Sequence, residues 1–209
     1  MPDYEYKLWN EDNFDVDVVP YTKEAYASKK YAFVSDYVRL WALCLEGGLY
    51  LDTDVEVFKA FDDLLKYQAF AGFEGSKYNP MGTCVMASVA NGIWVKEQLD
   101  CYKERHFINS DGSMDMTTNV EFITSNMCQQ GFVSDGNEQD YKDLHVFPVD
   151  YFSPKHTTGE YVRTINTYCD HLGMGSWADS KGGWKSCLFK LVGEKYMTRC
   201  IKLKRKFFG

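Results

Sequence analysis

Two aspartates separated by a single residue, Asp52 and Asp54, fall within a run in which Leu49, Leu51, Thr53, Val55 and Val57 alternate with Tyr50, Asp52, Asp54, Glu56 and Phe58. A period of two predicts a strand with both carboxylates on one side. Like charges held together on a sheet destabilise it unless a hard cation is shared between them. Carboxylate ligation suits Mg²⁺ or Mn²⁺, and such an ion completes its shell with water and the phosphates of a nucleotide. Upstream, Asp36 and Arg39 stand three residues apart, neighbours on one face of a helix. Taken alone, the tripeptide reads as an acidic strand end, and Asp36 with Arg39 as a surface ion pair worth about 0.3–0.5 kcal/mol. Their fixed order along the chain changes that reading.

The elements that must position them follow from periodicity. Val34, Tyr37, Val38, Trp41 and Leu45 recur at helical spacing through Tyr31 to Glu46, and Gly47-Gly48 supplies the stop. Asp36 and Arg39 are expected on the polar face, away from that stripe. The helix then feeds the strand that carries the two aspartates. Further strands are expected over Gln68–Phe73, Thr83–Ala87 and Leu144–Val149, and helices over Ile93–Arg105 and Val120–Gln130. Asp62-Asp63 reads as the N-terminal cap of another helix. Alternation of helices and strands predicts an α/β fold with a mostly parallel or mixed sheet, with ligands at the carboxyl ends of strands.

The whole chain bounds the function classes. Its 209 residues are 45% apolar, 25% charged and 16% aromatic, enough for a buried core, and are expected to form a single domain. The balance of 23 Lys+Arg against 30 Asp+Glu, a net −7, gives no overall field for collecting nucleic acid. The first ten residues have no basic and apolar signal pattern, and the run Val34–Leu45 is interrupted by Asp36 and Arg39, so neither a secretory signal nor a spanning helix is expected. Seven scattered cysteines, with no CxxC pair, read as reduced, mostly buried thiols of a cytoplasmic protein. The basic run Lys202–Phe208 reads as a solvated end or a peripheral contact with an anionic membrane face, where each Lys or Arg adds roughly 1 kcal/mol.

Ser35-Asp36-x-x-Arg39, Leu43 and Gly47-Gly48-x-Tyr50-x-Asp52-x-Asp54 together resemble the signature of glycosyltransferase family 32, whose sugar-binding region contains a DXD motif. That family includes initiating mannosyltransferases and capsular-polysaccharide or lipopolysaccharide transferases. Trp9-Asn10-Glu11-Asp12-Asn13-Phe14, Met86-Ala87, Phe147-Pro148-x-x-Tyr151-Phe152-x-Pro154, and His171 followed by Ser176-Trp177 extend the likeness. The resemblance implies a GT-A-like (Rossmann-like) mixed sheet flanked by helices, a UDP- or GDP-hexose donor, Mn²⁺ or Mg²⁺, a glycan or glycolipid acceptor and retention of anomeric configuration. It implies Asp54 as a direct metal ligand, and Asp52 on the ribose or on the metal through water. Asp36 and Arg39 would hold the donor sugar and Tyr50 would line the nucleotide pocket. His171 and Ser176 would lie near the metal or diphosphate, and Trp177 would pack on the donor. No catalytic nucleophile is named.

The family's opening apolar strand, Ile-Pro-Lys-Ile-Ile-His-x-x-Trp, has no counterpart ahead of Trp9. The expectation is an amino-terminally shortened member, or one in which another element replaces that strand. Two rivals stay open. One is a catalytically inactive GT-A-like binding protein. The other is a haloacid-dehalogenase-type phosphatase, with Asp52 as the first Asp of Leu49–Val55.

Overall fold

A computed structural model describes residues 3–75, 80–154 and 163–172, and the backbone of 198–202. Along these residues the elements are β1 (Glu5–Trp9), α1 (Pro20–Ala27), α2 (Tyr31–Glu46), β2 (Gly48–Leu51), β3 (Val55–Val57), β4 (Ala69–Phe73), β5 (Met81–Ser88), α3 (Ile93–Asp100), α4 (Asn119–Gln129), β6 (Gln139–Tyr141), β7 (Leu144–Phe147), β8 (Cys169–His171) and β9 (Thr198–Lys202). Seven strands form one sheet in the order β1-β9-β2-β5-β4-β7-β6, and β3 pairs with β8 in a second, two-stranded sheet. The fold is mixed α/β. Among the described strands β4 and β7 pair in parallel and the other pairs are antiparallel, so the sheet is mixed rather than mostly parallel.

This pairing pattern makes β1, β2, β4 and β7 run in one direction, although they are not all neighbours. Their carboxyl ends, Trp9, Leu51, Phe73 and Phe147, therefore share one edge of the sheet. Ligand sites of open α/β sheets sit at such an edge. Side-chain alternation divides the strands between two cores. Tyr50, Ala69, Ala71, Phe73 and Met86 join the helices on one face, while Leu49, Leu51, Phe70, Val85 and Ala87 join Phe61, Phe147, Phe152 and Tyr168 on the other.

Helix α2 spans the residues its periodicity predicts, but its burial does not follow a simple stripe. Val34, Tyr37 and Val38 are buried as expected, Trp41 is half-buried and Leu45 is 53% exposed. Leu40, Leu43 and Arg39 are buried instead, because α2 lies between the sheet and helices α1 and α3 and is covered nearly all round. Gly47 ends it with φ 68°, its N–H donating to the Leu43 carbonyl at 2.8 Å. A Cβ there would meet the Ala90 nitrogen at 2.7 Å. Gly47→Ala is therefore expected to destabilise the protein by more than about 1 kcal/mol, since both the positive φ and the crowding oppose a side chain. A urea midpoint equal to the parent's would contradict that.

Other boundaries shift for local reasons. Helix α3 stops at Asp100, short of Arg105, where i→i−3 bonds from Tyr102 and Lys103 tighten the chain into turns. Helix α4 starts at Asn119 behind a Thr118–Glu121 capping box. Strand β7 ends at Phe147 because Pro148 has no N–H to donate. Asp62 and Asp63 do not cap an α-helix. They open a single 3₁₀ turn, and their carboxylates accept the hydroxyls of Tyr4 and Tyr168 respectively. Among the described cysteines all five are free thiols: Cys84 and Cys169 are buried, Cys44 and Cys101 half-buried and Cys128 exposed. No described helix is long and apolar enough to cross a membrane.

Candidate functional site

The alternating run 49–58 is not one strand. Strand β2 ends at Leu51, the Asp52 N–H makes a last bond to the Cys84 carbonyl at 2.9 Å, and the chain then turns, with the Val55 N–H on the Asp52 carbonyl at 3.2 Å. Strand β3 leaves the main sheet to pair with β8. Asp52 and Asp54 thus occupy a turn at the carboxyl end of β2, not alternate positions of a continuous strand. Aspartate favours turns over strand interiors, and the pattern alone could not register that break. The carboxylates nevertheless converge, because Val55 pairs with His171 and the Leu172 N–H donates to the Asp54 carbonyl at 3.0 Å. His171 Nε2 then lies 3.4 Å from Asp54 Oδ1 and 3.9 Å from Asp52 Oδ2.

Asp52 faces both ways. Its Oδ1 accepts from Arg39 Nη1 at 3.0 Å and from the Tyr50 hydroxyl, while its Oδ2 faces His171. Arg39 is held from every side. Its Nη2 contacts Asp36 Oδ1 at 3.0 Å, Nη1 donates to the Thr83 carbonyl at 3.1 Å, Nε donates to the Ser35 carbonyl at 3.2 Å, and the guanidinium lies 4.6 Å from the Tyr50 ring centre. With side chains 8% and 13% exposed, Arg39 and Asp36 are no surface pair, and they point into the molecule, toward Asp52, rather than along a solvated face. Tyr50 is buried, with its hydroxyl committed to Asp52.

Burial pushes the Asp36 carboxyl up to about 7, against the pull of Arg39. Burial would weaken the charge on Arg39, but Asp52, Tyr50 and Asp36 outweigh it and keep the guanidinium protonated. The same contest occurs at His171. Desolvation favours the neutral ring, and hydrogen bonds with Asp54, Cys84 and Glu74 overcome it, holding the imidazole well above its ordinary value. The surrounding carboxylates demand a positive charge at this point, which a bound divalent ion would supply in place of the imidazole proton.

Asp52, Asp54 and His171 each offer a ligand atom, and the three atoms lie within 4.8 Å of one another. Two carboxylates and an imidazole at that separation fit Mn²⁺ or Mg²⁺ with open positions for phosphate and water. The structure also brings in residues that motif reading passed over. Glu74, immediately after β4, lies with Oε1 2.7 Å from His171 Nδ1, and Cys84 on β5 adjoins the same ring. The signal available for both was proximity to predicted strands: Glu74 follows the strand expected over Gln68–Phe73, and Cys84 lies inside Thr83–Ala87. Nothing in the sequence tells which strands flank β2. Ser176, Trp177 and residues 203–208 of the basic run lie outside the described residues.

The outlying motif blocks frame the same edge. Trp9 and Phe14 pack edge-on against Trp41 at 5.0 and 5.1 Å, and between them Asn10 and Asn13 fold the loop on itself through side-chain to backbone bonds. Tyr151 stacks on Phe147 at 4.4 Å, closing the late turn beneath the sheet.

No solved structure gives a significant match to the chain. Among curated proteins, "Glucan organizing enzyme 1" of Cryptococcus neoformans var. grubii serotype A is 36% identical over 83 residues, an alignment that covers 36% of this chain and 23% of that protein. The chain therefore spans less than a quarter of the length of that relative. Residues 1–71 match the family described as "Glycosyltransferase sugar-binding region containing DXD motif", so β1 to β3 and the start of β4, with Asp36, Arg39, Tyr50 and the Asp52-Thr53-Asp54 tripeptide, form a glycosyltransferase-like region.

Proposed function

We propose that this protein is a metal-dependent glycosyltransferase of the family 32 type, a single GT-A-like domain that moves a hexose from a UDP- or GDP-sugar to a glycan or glycolipid acceptor. The observation that carries the reading is the convergence of Asp52, Asp54 and His171 at the carboxyl edge of the sheet, tied through Asp52 to the buried Asp36–Arg39 pair. The match of residues 1–71 supports glycosyl transfer, and a relative named for glucan favours a glycan acceptor, as in polysaccharide biosynthesis. Peripheral attachment to the inner face of a membrane through residues 202–208, and a cytoplasmic location, belong to the same proposal.

Asp54 and His171 would hold the ion, with Asp52 reaching it directly or through water. A divalent ion there neutralises the charge that develops on a departing diphosphate. Arg39 fixes Asp52 on one oxygen and leaves the other toward His171, so the carboxylate cannot rotate away. Tyr50 shares that duty. In this arrangement Asp52 is a poor nucleophile, which disfavours the phosphatase alternative. Asp36 and Arg39 would act on the donor through Asp52, whose position they fix. The family likeness favours retention of configuration through a transition state of oxocarbenium character.

A panel of UDP- and GDP-sugars, each with and without Mn²⁺, tests the reading. At least one donor should raise the melting temperature in a Mn²⁺-dependent way and release its nucleoside diphosphate when acceptor is supplied. Binding without turnover would favour the inactive scaffold. Absence of both would remove the proposal.

A further inference from the structure

His171 is shared by two ligand sets. Beside Asp52 and Asp54, the group Glu74, Cys84 and His171 also offers three ligand atoms within 4.8 Å of one another. Its chemistry differs, because a sulfur replaces one oxygen. Thiolate and imidazole select Zn²⁺ and its relatives over Mg²⁺ or Mn²⁺. We propose that Glu74, Cys84 and His171 form a second metal site, specific for thiophilic divalent ions such as Zn²⁺, which shares His171 with the Asp52–Asp54 site and is built across strands β4, β5 and β8.

Position and spacing both support it. Cys84 is buried on β5 with its carbonyl bonded to Asp52, Glu74 follows the carboxyl end of β4, and β8 delivers His171 from the small sheet above. Tetrahedral zinc, with bonds of about 2.0–2.3 Å, needs ligand atoms roughly 3.3–3.6 Å apart. Here Glu74 Oε1 and His171 Nδ1 stand at 2.7 Å and no separation in the set exceeds 4.8 Å, so shifts of about an ångström or less complete it. An outer partner for the imidazole is already in place. Zinc-bound histidines donate the other ring N–H to a carboxylate, and with the ion on Nδ1, His171 Nε2 faces Asp54 Oδ1 at 3.4 Å. Coordination displaces two protons to solvent, that of the Cys84 thiol and that on His171 Nδ1, leaving a thiolate and a neutral imidazole on the metal.

The two sets make opposing demands on His171. As a ligand of the hard ion it must offer Nε2 as a lone pair, whereas with zinc on Nδ1 that nitrogen carries the proton donated to Asp54. Occupancy by zinc therefore weakens the Asp52–Asp54 site, a consequence that rests on the glycosyl-transfer reading; the existence of the sulfur site does not.

Cobalt(II) is the probe, added to reduced, full-length protein. The parent should develop near-ultraviolet thiolate-to-cobalt charge-transfer absorption that Zn²⁺ abolishes at one equivalent. Cys84→Ser should lose that absorption, and Glu74→Gln should keep it with cobalt affinity lowered at least about tenfold. Asp54→Asn should retain it while losing Mn²⁺ binding followed by electron paramagnetic resonance, which separates failure of this site from failure of the hard-ion site. Absence of the absorption from the parent, its persistence in Cys84→Ser, or unchanged affinity in Glu74→Gln would each overturn the proposal.

Discussion

Asp54→Ala is expected to lower Mn²⁺-dependent turnover of the nucleotide sugar by at least about a hundredfold while leaving the thermal unfolding midpoint near that of the parent. The argument is geometric. Asp54 sits in a turn between β2 and β3, its side chain 18% exposed and its carbonyl bonded to the Leu172 N–H, so the backbone that shapes the turn survives loss of the carboxylate. What goes is one of the two carboxylates on the Nε2 side of His171, and with it a direct contact to the ion. Asp52 cannot substitute, since one of its oxygens is already held by Arg39 and Tyr50. Steady-state kinetics across a Mn²⁺ titration, with circular dichroism to verify folding, decides the matter. Parental turnover in a well-folded variant would end the assignment of Asp54 as metal ligand.

Arg39→Met should act mainly on stability. The guanidinium joins helix α2 to the end of β2 and to the Thr83 carbonyl, and its removal leaves Asp36 and Asp52 facing each other with no cation between them. Breaking a buried pair from one side costs about 3–5 kcal/mol, which for a domain of this size lowers the melting temperature by roughly 6–20 °C. At alkaline pH, where Asp36 would still ionise, Asp36→Asn in the same chain should recover part of that loss, because one of the stranded carboxylates is then neutral. Differential scanning calorimetry of the parent, the single and the double variant gives the coupling directly. A melting temperature that stays put in Arg39→Met would show that the pair contributes nothing, as surface pairs often do.

Local signals carried much of this. The helix Tyr31–Glu46, its glycine stop and the aspartate tripeptide were legible because each depends on neighbours within a few residues: a 3.6-residue period, a position needing positive φ, a charge pattern. Leu45 and Arg39 depart from the helical stripe for one reason. Periodicity reports how many faces are apolar, and α2 has neighbours on nearly all of its sides, so a polar residue can be buried when partners meet it there. The split of the 49–58 run escaped for another: alternation continues through Asp52 to Asp54, while the strand ends where its partner β5 ends its pairing.

By itself the amino-acid sequence determined the mixed α/β class, the elements on either side of Gly47-Gly48, and the aspartates at the site, since all of these rest on short-range pattern. Tertiary structure alone decided that Arg39 is an interior clamp on Asp52 and that Glu74 and Cys84 share the ring of His171, which the family resemblance had only set near the metal. Each of those contacts joins segments far apart in the chain, and only strand order brings them together. No spacing along a polypeptide encodes which strands will be neighbours.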